Sequence, residues 1–263
     1  MGGKVYFIDV TNRDGVQAAR LEMSKFQRTM VNYYLGKLGV HQSEFGFPFI
    51  WHEQNYCEAN AALAEQGVMG NMILEGWTRA VPGDVIKSLQ KTPVRHLNVS
   101  ISTSDQMINA KFQGKLTHES VISSMIDSVH AALDGGALTV GANAEDASRT
   151  ELDYLIRFAR AAKEAGACRV RYCDTLGLDS PDSIYQRIYT LARETGIDIE
   201  LHCHNDVGMA VANSVSGAKG AVNGGVNAYI NTTVNGVGER AGNADLLSCI
   251  LAIRFARGVS DYL

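Results

Sequence analysis

Little in this sequence of 263 residues points away from an ordinary globular fold. No apolar run approaches the roughly 20 residues of a membrane span, so no membrane partner is expected. Cysteine is sparse and unpaired in pattern. The five residues (57, 168, 173, 203 and 249) are scattered, odd in number and never spaced Cys-x-x-Cys. That excludes a disulfide framework and fits a reducing compartment. The first residues, Met-Gly-Gly-Lys-Val-Tyr-Phe, run straight into a strand-like segment and lack the layout of a signal peptide. A cytoplasmic location is the expectation. Charge of one sign is also lacking: a net charge of -4 and a pI near 6.0 give no electrostatic case for nucleic acid or an anionic membrane. A local basic pocket for an anionic small molecule remains open. No run of proline, glycine or serine marks a domain boundary, and 46% apolar residues are ample for one large core.

What is present is a regular alternation of strand-like and helix-like segments. Strands are predicted over residues 5–11, 40–45, 70–76, 97–102, 137–143, 169–174, 197–204 and 226–234. Helical spacing follows each, over residues 24–38, 53–66, 83–89, 117–133, 150–165, from Ser180-Pro181, 209–221 and 244–257. Thr117-x-x-Ser120 offers a helix start without the acidic partner of a full capping box. Eight such units in series predict a single-domain TIM (β/α)8 barrel over residues 1–263. An open doubly wound sheet is the alternative, and eight units count against it. The turns Asp134-Gly135-Gly136 and Asn223-Gly224-Gly225 read as helix-to-strand connections on the barrel's stability face.

In such a barrel the chemistry lies at the C-terminal ends of the strands. Those ends carry polar residues almost without exception. Strand one runs into Asp9-Val10-Thr11-Asn12-Arg13-Asp14-Gly15, and strand two reaches Glu44. Strand three reaches Glu75 and Arg79, and strand four Ser100, Ser102 and Ser104. Strand five leads to Asn143, Glu145 and Asp146, strand six to Asp174-Thr175, strand seven to His202 and His204, and strand eight to the loop 235–243. Strand alternation places His202 and His204 on one face and Cys203 on the other. Two imidazoles at that spacing can close on one metal ion or form a hydrogen-bonded structural pair. With Asp14 they make a carboxylate–imidazole set suited to Zn²⁺, Mn²⁺ or Fe²⁺, to which Asn243 can add an amide oxygen. Arg13 beside Asp14 can stabilise a developing oxyanion or form a plain surface pair. Arg149 can pair with a substrate carboxylate or lie on a helix surface. Gly236-Val237-Gly238-Glu239-Arg240-Ala241 fits a dinucleotide fingerprint, but only one helix follows it, too little for the βαβ unit that fingerprint requires.

These residues resemble a known family. Asp9-Val10-Thr11-Asn12-Arg13-Asp14-Gly15-Val16-Gln17 is similar to the D-x-T-x-R-D-G-x-Q signature of the metal-dependent barrels that include isopropylmalate, homocitrate and citramalate synthases and hydroxymethylglutaryl-CoA lyase. Glu44-Phe45-Gly46-Phe47-Pro48, His202-Cys203-His204-Asn205-Asp206 and the segment 235–243 resemble its other signatures. The resemblance implies a divalent metal ion (Mn²⁺, Mg²⁺ or Zn²⁺) on Asp14, His202 and His204, with Asn243 as a further or water-bridged ligand. It implies Arg13 and Glu145 as catalytic residues, and substrate contacts from Arg13, Gln17, Glu44, Arg79, Ser102, Asn143, Arg149 and Thr175. Thr175 would hold the carboxylate of a 2-oxo acid, and acetyl-CoA would be the co-substrate.

Lyase members carry a cysteine in the loop after strand eight, and residues 235–243 have none, which favours a condensing synthase. Ser100–Asp105 and Asn143–Arg149 resemble homocitrate synthases of the nitrogen-fixation type, so 2-oxoglutarate is the expected acceptor. The alternatives are 2-oxoisovalerate, pyruvate or oxaloacetate in the same chemistry, a metal-dependent aldolase or lyase, or a non-catalytic oxo-acid-binding subunit. The chain departs from the family at Asn12 (usually leucine), Val16 (usually glutamate) and Met107 (often histidine, four residues before Lys111). Family synthases continue beyond the barrel into a helical subdomain, so a homodimer or a partner subunit carrying that region is expected.

Overall fold

The computed structural model of the chain describes residues 3–259. Eight parallel strands close into one barrel in sequence order, with β1 (Val5–Asp9) hydrogen-bonded to β8 (Ala228–Thr232). Between them lie β2 (Gln42–Gly46), β3 (Ile73–Arg79), β4 (His96–Ser102), β5 (Thr139–Glu145), β6 (Arg169–Asp174) and β7 (Asp198–Cys203). The helices are α1 (Lys25–Leu38), α2 (Trp51–Glu65), α3 (Pro82–Lys91), α4 (Asp105–Lys111), α5 (His118–Asp134), α6 (Leu152–Glu164), α7 (Pro181–Thr195), α8 (Ala210–Asn223) and α9 (Leu246–Phe255). Closure settles the choice between a barrel and an open sheet. No helix of the described residues is long and apolar enough to cross a membrane.

The helix ends follow from local chemistry. Ser24 caps α1 by accepting the Gln27 N–H, while Gln27 bonds back to the Ser24 N–H, and Gly39 ends the helix in the left-handed region at φ 76°. The start of α5 corrects the sequence expectation. Its capping box is complete, because the Ser120 hydroxyl takes the place of the acidic partner: Ser120 Oγ accepts the Thr117 N–H at 2.8 Å and Thr117 Oγ1 accepts the Ser120 N–H at 3.2 Å. Five strands begin later than the sequence suggests: β2 at Gln42, β3 at Ile73, β5 at Thr139, β7 at Asp198 and β8 at Ala228. In β3 the glycine that resembled a strand end, Gly76, lies mid-strand, where a Cβ would sit 2.6 Å from Pro48 Cγ. Helix α4 was not foreseen. It is capped by Ser104, whose Oγ accepts the Met107 N–H.

The apolar core lies between the sheet and the helices, where Val170, Tyr172, Ile199 and Leu201 point outward and are fully buried. The inside of the barrel is different. Barrels of this kind usually fill their lumen with branched aliphatic residues; here the inward positions of β2, β3, β6 and β7 include Glu44, Glu75, Arg169, Arg171 and Glu200, all buried. Arg171 donates from Nε to Glu200 Oε1 at 2.6 Å, and from its two terminal nitrogens to Glu44. Arg169 donates from Nε to Glu200 Oε2 at 2.6 Å and from Nη2 to Glu75. Strands β2 and β6 are four apart in a ring of eight, so the Glu44–Arg171 pair crosses the lumen. Asn231 donates to Glu200 at 2.7 Å and closes the layer.

Candidate active site

Above this ionic layer, at the C-terminal mouth, the β1 loop turns sharply. The N–H groups of Arg13, Asp14 and Gly15 all donate to the Val10 carbonyl, and Asp9 Oδ1 accepts the Thr11 N–H at 2.9 Å. Asn12, the residue that departs from the family's leucine, is buried and ties the loop to α1 through the Arg28 carbonyl and Asn32 Oδ1, both at 2.8 Å. Arg13 and Asp14 are thereby aimed across the mouth. Arg13 donates from Nη1 to Asp14 Oδ2 at 2.7 Å and from Nε to Glu44.

His202 and His204 share the inward face of β7 and its extension, with their Nε2 atoms 3.2 Å apart, while Cys203 packs outward. His202 Nε2 lies 3.5 Å from Asp14 Oδ2. The ligand atoms of Asp14, His202 and His204 all fall within 4.8 Å of one another, and all three residues are buried. Protonation suits a cation. Burial pushes the Asp14 carboxyl up, but the Arg13 guanidinium beside it, together with the two histidines, holds it well below the usual carboxylate range. Burial and then His202 push His204 down to about 3, so its imidazole is neutral at pH 7, the form that ligates metals. His204 Nδ1 and Asn243 Oδ1 are buried without hydrogen-bond partners. Gly238 makes room for this arrangement: a Cβ there would meet Asn243 Nδ2 at 2.0 Å and Asp14 Oδ1 at 3.1 Å. The donor set, the neutral imidazole and the orphaned polar atoms fit a divalent metal ion.

Beside the cluster is a polar cavity of about 90 Å³, lined among the sequence-predicted residues by Arg13, Asp14, Asn143, Glu145, Thr175, His202 and His204. Thr175 Oγ1 accepts the Asp146 N–H at 3.0 Å, and Asn143 Oδ1 accepts from Cys173 Sγ at 2.8 Å. Glu145 Oε2 accepts from Ser102 Oγ at 2.5 Å and from Lys111 Nζ at 2.7 Å. Asn243 Nδ2 donates to Asp14 Oδ1 at 2.7 Å.

Other expected site residues lie elsewhere. Glu44 is one layer deeper, between Arg13 and Arg171, because β2 begins later than predicted. Arg79 is 60% exposed in its side chain and paired with Asp84, since α3 begins at once and brings that carboxylate to it. Arg149 is turned onto Asp146 by three hydrogen bonds, and Gln17 is exposed. Trp77, Cys173 and Glu239 line the cavity without having been singled out. Trp77 and Cys173 follow the inward residues Glu75 and Arg171 at a spacing of two, which is the signal that would have found them.

A closed (β/α)8 barrel with a buried carboxylate–imidazole cluster at its C-terminal mouth defines the class of protein. The chain belongs to the HMGL-like family, whose model matches residues 4–262. It is 56% identical to the citrate (Re)-synthase of Dehalococcoides mccartyi, over 98% of this chain and 63% of that protein. It is 39% identical to 2-isopropylmalate synthase 2 of Caldanaerobacter subterraneus (95% of this chain, 62% of that one) and 35% identical to homocitrate synthase 1 of Nostoc (97% and 64%). The chain thus spans less than two thirds of the length of these curated relatives. Among solved structures, the HMG-CoA lyase of Bacillus subtilis shares the fold with a TM-score of 0.74 at 19% identity, covering 95% of this chain and 86% of that one. The carboxyl transferase domain of Rhizobium etli pyruvate carboxylase does so with a TM-score of 0.73 at 16% identity, covering 99% and 44%.

Proposed function

We propose that this barrel joins acetyl-CoA to a 2-oxo acid in a Claisen-type condensation, and that the acceptor is oxaloacetate, giving citrate. The observation that carries the reaction is the gathering of Asp14, His202 and His204 within 4.8 Å beside the Arg13 guanidinium. The names of the three relatives support the reaction class, because citrate, isopropylmalate and homocitrate all disconnect into an acetyl unit and a 2-oxo acid. The name of the 56% relative supports oxaloacetate as the acceptor over 2-oxoglutarate, which the strand-four and strand-five motifs alone favour.

A divalent metal ion (Mn²⁺, Mg²⁺ or Zn²⁺) on Asp14, His202 and His204, with Asn243 as a further or water-bridged ligand, would supply Lewis acidity and a template for the acceptor. Arg13 stabilises the charge that develops on the acceptor's carbonyl oxygen. Thr175 binds the acceptor's carboxylate through its hydroxyl. Glu145 accepts the proton that leaves the acetyl methyl group at the oxygen not engaged by Ser102 and Lys111. The new carbon–carbon bond forms at the carbonyl carbon, and water then hydrolyses the thioester and releases the CoA thiol. A homodimer or a partner subunit adds groups on the acetyl-CoA side.

The test is thiol release from acetyl-CoA by the chain alone with Mn²⁺ or Mg²⁺ and, in turn, oxaloacetate, 2-oxoglutarate, 2-oxoisovalerate and pyruvate. Release with oxaloacetate is expected. Release with 2-oxoglutarate alone would return the acceptor to the one read from the motifs. Silence with all four, in a chain that still binds Mn²⁺, would overturn catalysis by this chain unaided.

A further inference from the structure

The ionic layer inside the barrel is expensive. Each buried ion carries a desolvation cost of several kcal/mol, and well-packed apolar residues often do as well or better for stability. What the layer does have is direction. From the mouth inward and across the lumen the charges alternate without a break: Asp14, Arg13, Glu44, Arg171, Glu200, Arg169, Glu75. Glu44 is the pivot. Its Oε1 accepts from Arg13 Nε and also from Arg171 Nη1 at 3.2 Å, and its Oε2 accepts from Arg171 Nη2. Arg171 is fully buried, does not line the cavity, and is gripped by Glu200, its register partner on the neighbouring strand. Glu200 is itself fixed by Arg169 and Asn231.

We propose that Arg171 is a positioning residue: by clamping both oxygens of Glu44 across the lumen, with Glu200 as its anchor, it fixes the direction of the Arg13 guanidinium at the mouth. The proposal takes the role of Arg13 from the reaction proposed above. Arg13 has two anchors, Asp14 and Glu44, and only Glu44 is independent of the metal cluster. A Glu44 released from Arg171 can rotate, and the Arg13 Nε–H then loses its defined acceptor. Lysine in place of Arg171 keeps the charge but presents one ammonium in place of the planar fork that now reaches Glu44 and Glu200 together.

The experiment is Arg171→Lys in the full chain, with two readouts. The first does not depend on turnover. The Arg13 Nε–H resonance, assigned by its loss in Arg13→Lys, is followed in proton–nitrogen correlation spectra. It should be a sharp, slowly exchanging signal in the parent chain and should broaden or move in Arg171→Lys. The second is kinetic: kcat should fall at least tenfold while the KM for the acceptor stays within about threefold, and Arg13→Lys/Arg171→Lys should be no slower than Arg13→Lys alone. An unchanged Arg13 Nε–H signal overturns the proposal, as do losses that multiply in the double variant. Should the parent chain release no thiol with any acceptor, the reaction falls and the resonance still decides the positioning. If Arg171→Lys does not fold, Glu200→Gln weakens the same anchor and is read in the same way.

Discussion

The upper and lower halves of the barrel's interior use the same residue types to opposite ends. In the lower half Glu44, Glu200, Arg169 and Arg171 are all engaged, and the oxygens of Glu44 and Glu200 all accept from guanidinium groups. In the upper half two histidines and an aspartate crowd together with valences to spare: His204 Nδ1 has no partner, and nor has Asn243 Oδ1. A closed set of charges holds a shape, whereas an open set of donors binds something. That contrast separates framework from site better than burial does, since both halves are buried.

The contrast breaks most completely at Asp14. Asp14→Ala removes the one carboxylate of the upper cluster and leaves Arg13 its bond to Glu44. A metal acting as Lewis acid supplies several kcal/mol at the transition state, so turnover should fall at least about a hundredfold. Metal binding gives a second readout. Adding Mn²⁺ at about a hundredfold over its Kd stabilises a single-site protein by about 2.7 kcal/mol, roughly 5–10 °C in melting temperature at this size. The parent chain should show that rise in a thermal melt and lose it with a chelator, and Asp14→Ala should show none. A parent chain whose melting temperature ignores every divalent ion would remove the open set from the comparison.

Among the charges of the lower half Glu75 is the flaw, and it gives a smaller effect. Glu75 Oε2 has no hydrogen-bond partner and lies 3.8 Å from Arg171, and burial outweighs the pull of Arg169, raising the Glu75 carboxyl to about 7. Burial likewise raises Asp9 to about 7. For a carboxyl whose folded value is raised, the stabilising contribution is complete below its unfolded value and is lost as pH rises through the folded one. The melting temperature of the metal-free chain should therefore fall between about pH 5 and pH 8, each group contributing about 1–3 kcal/mol over that interval. Glu75→Gln should flatten the slope and Asp9→Asn should flatten it further. At the acid end Glu200, held down to about 2 by Arg171 and Arg169 against its burial, acts in the opposite sense: its contribution is present above about pH 4.5 and is lost as pH falls toward 2. A melting temperature level from pH 5 to 8 would mean that the lower set is as closed at Glu75 as it is at Glu44.

Most of the barrel was legible because alternation and punctuation are local. The eight units and the shared face of His202 and His204 follow from neighbours in the chain. Depth was not legible. Glu44 and Glu75 read as strand ends, but they lie side by side in register inside the barrel, and that depth depends on where each strand begins relative to its neighbours. The pairing of Arg171 with Glu44 spans 127 positions, and no local pattern announces it. Past a strand end, alternation no longer says where a side chain points. Thr175 came to the cavity, whereas Arg149 turned back onto Asp146 and Gln17 onto the surface.

Arg79 gives the smallest effect, and it tests whether strand-end position alone makes a site residue. Its side chain is 60% exposed, donates from Nε to Asp84 Oδ2 at 2.6 Å and lies over the Phe49 ring at 5.5 Å. The Asp84 carboxylate raises its pKa, so the guanidinium is charged throughout, and neither the metal cluster nor the cavity lining includes it. An exposed pair of this kind contributes about 0–1 kcal/mol. Arg79→Ala should then change the melting temperature by no more than a few degrees and leave kcat and the acceptor KM within about twofold. A tenfold rise in acceptor KM with an unchanged melt would show that Arg79 leaves Asp84 to meet the substrate. Helix α3 carries Asp84, so its first turn would have to be counted with the open set at the mouth rather than with the framework.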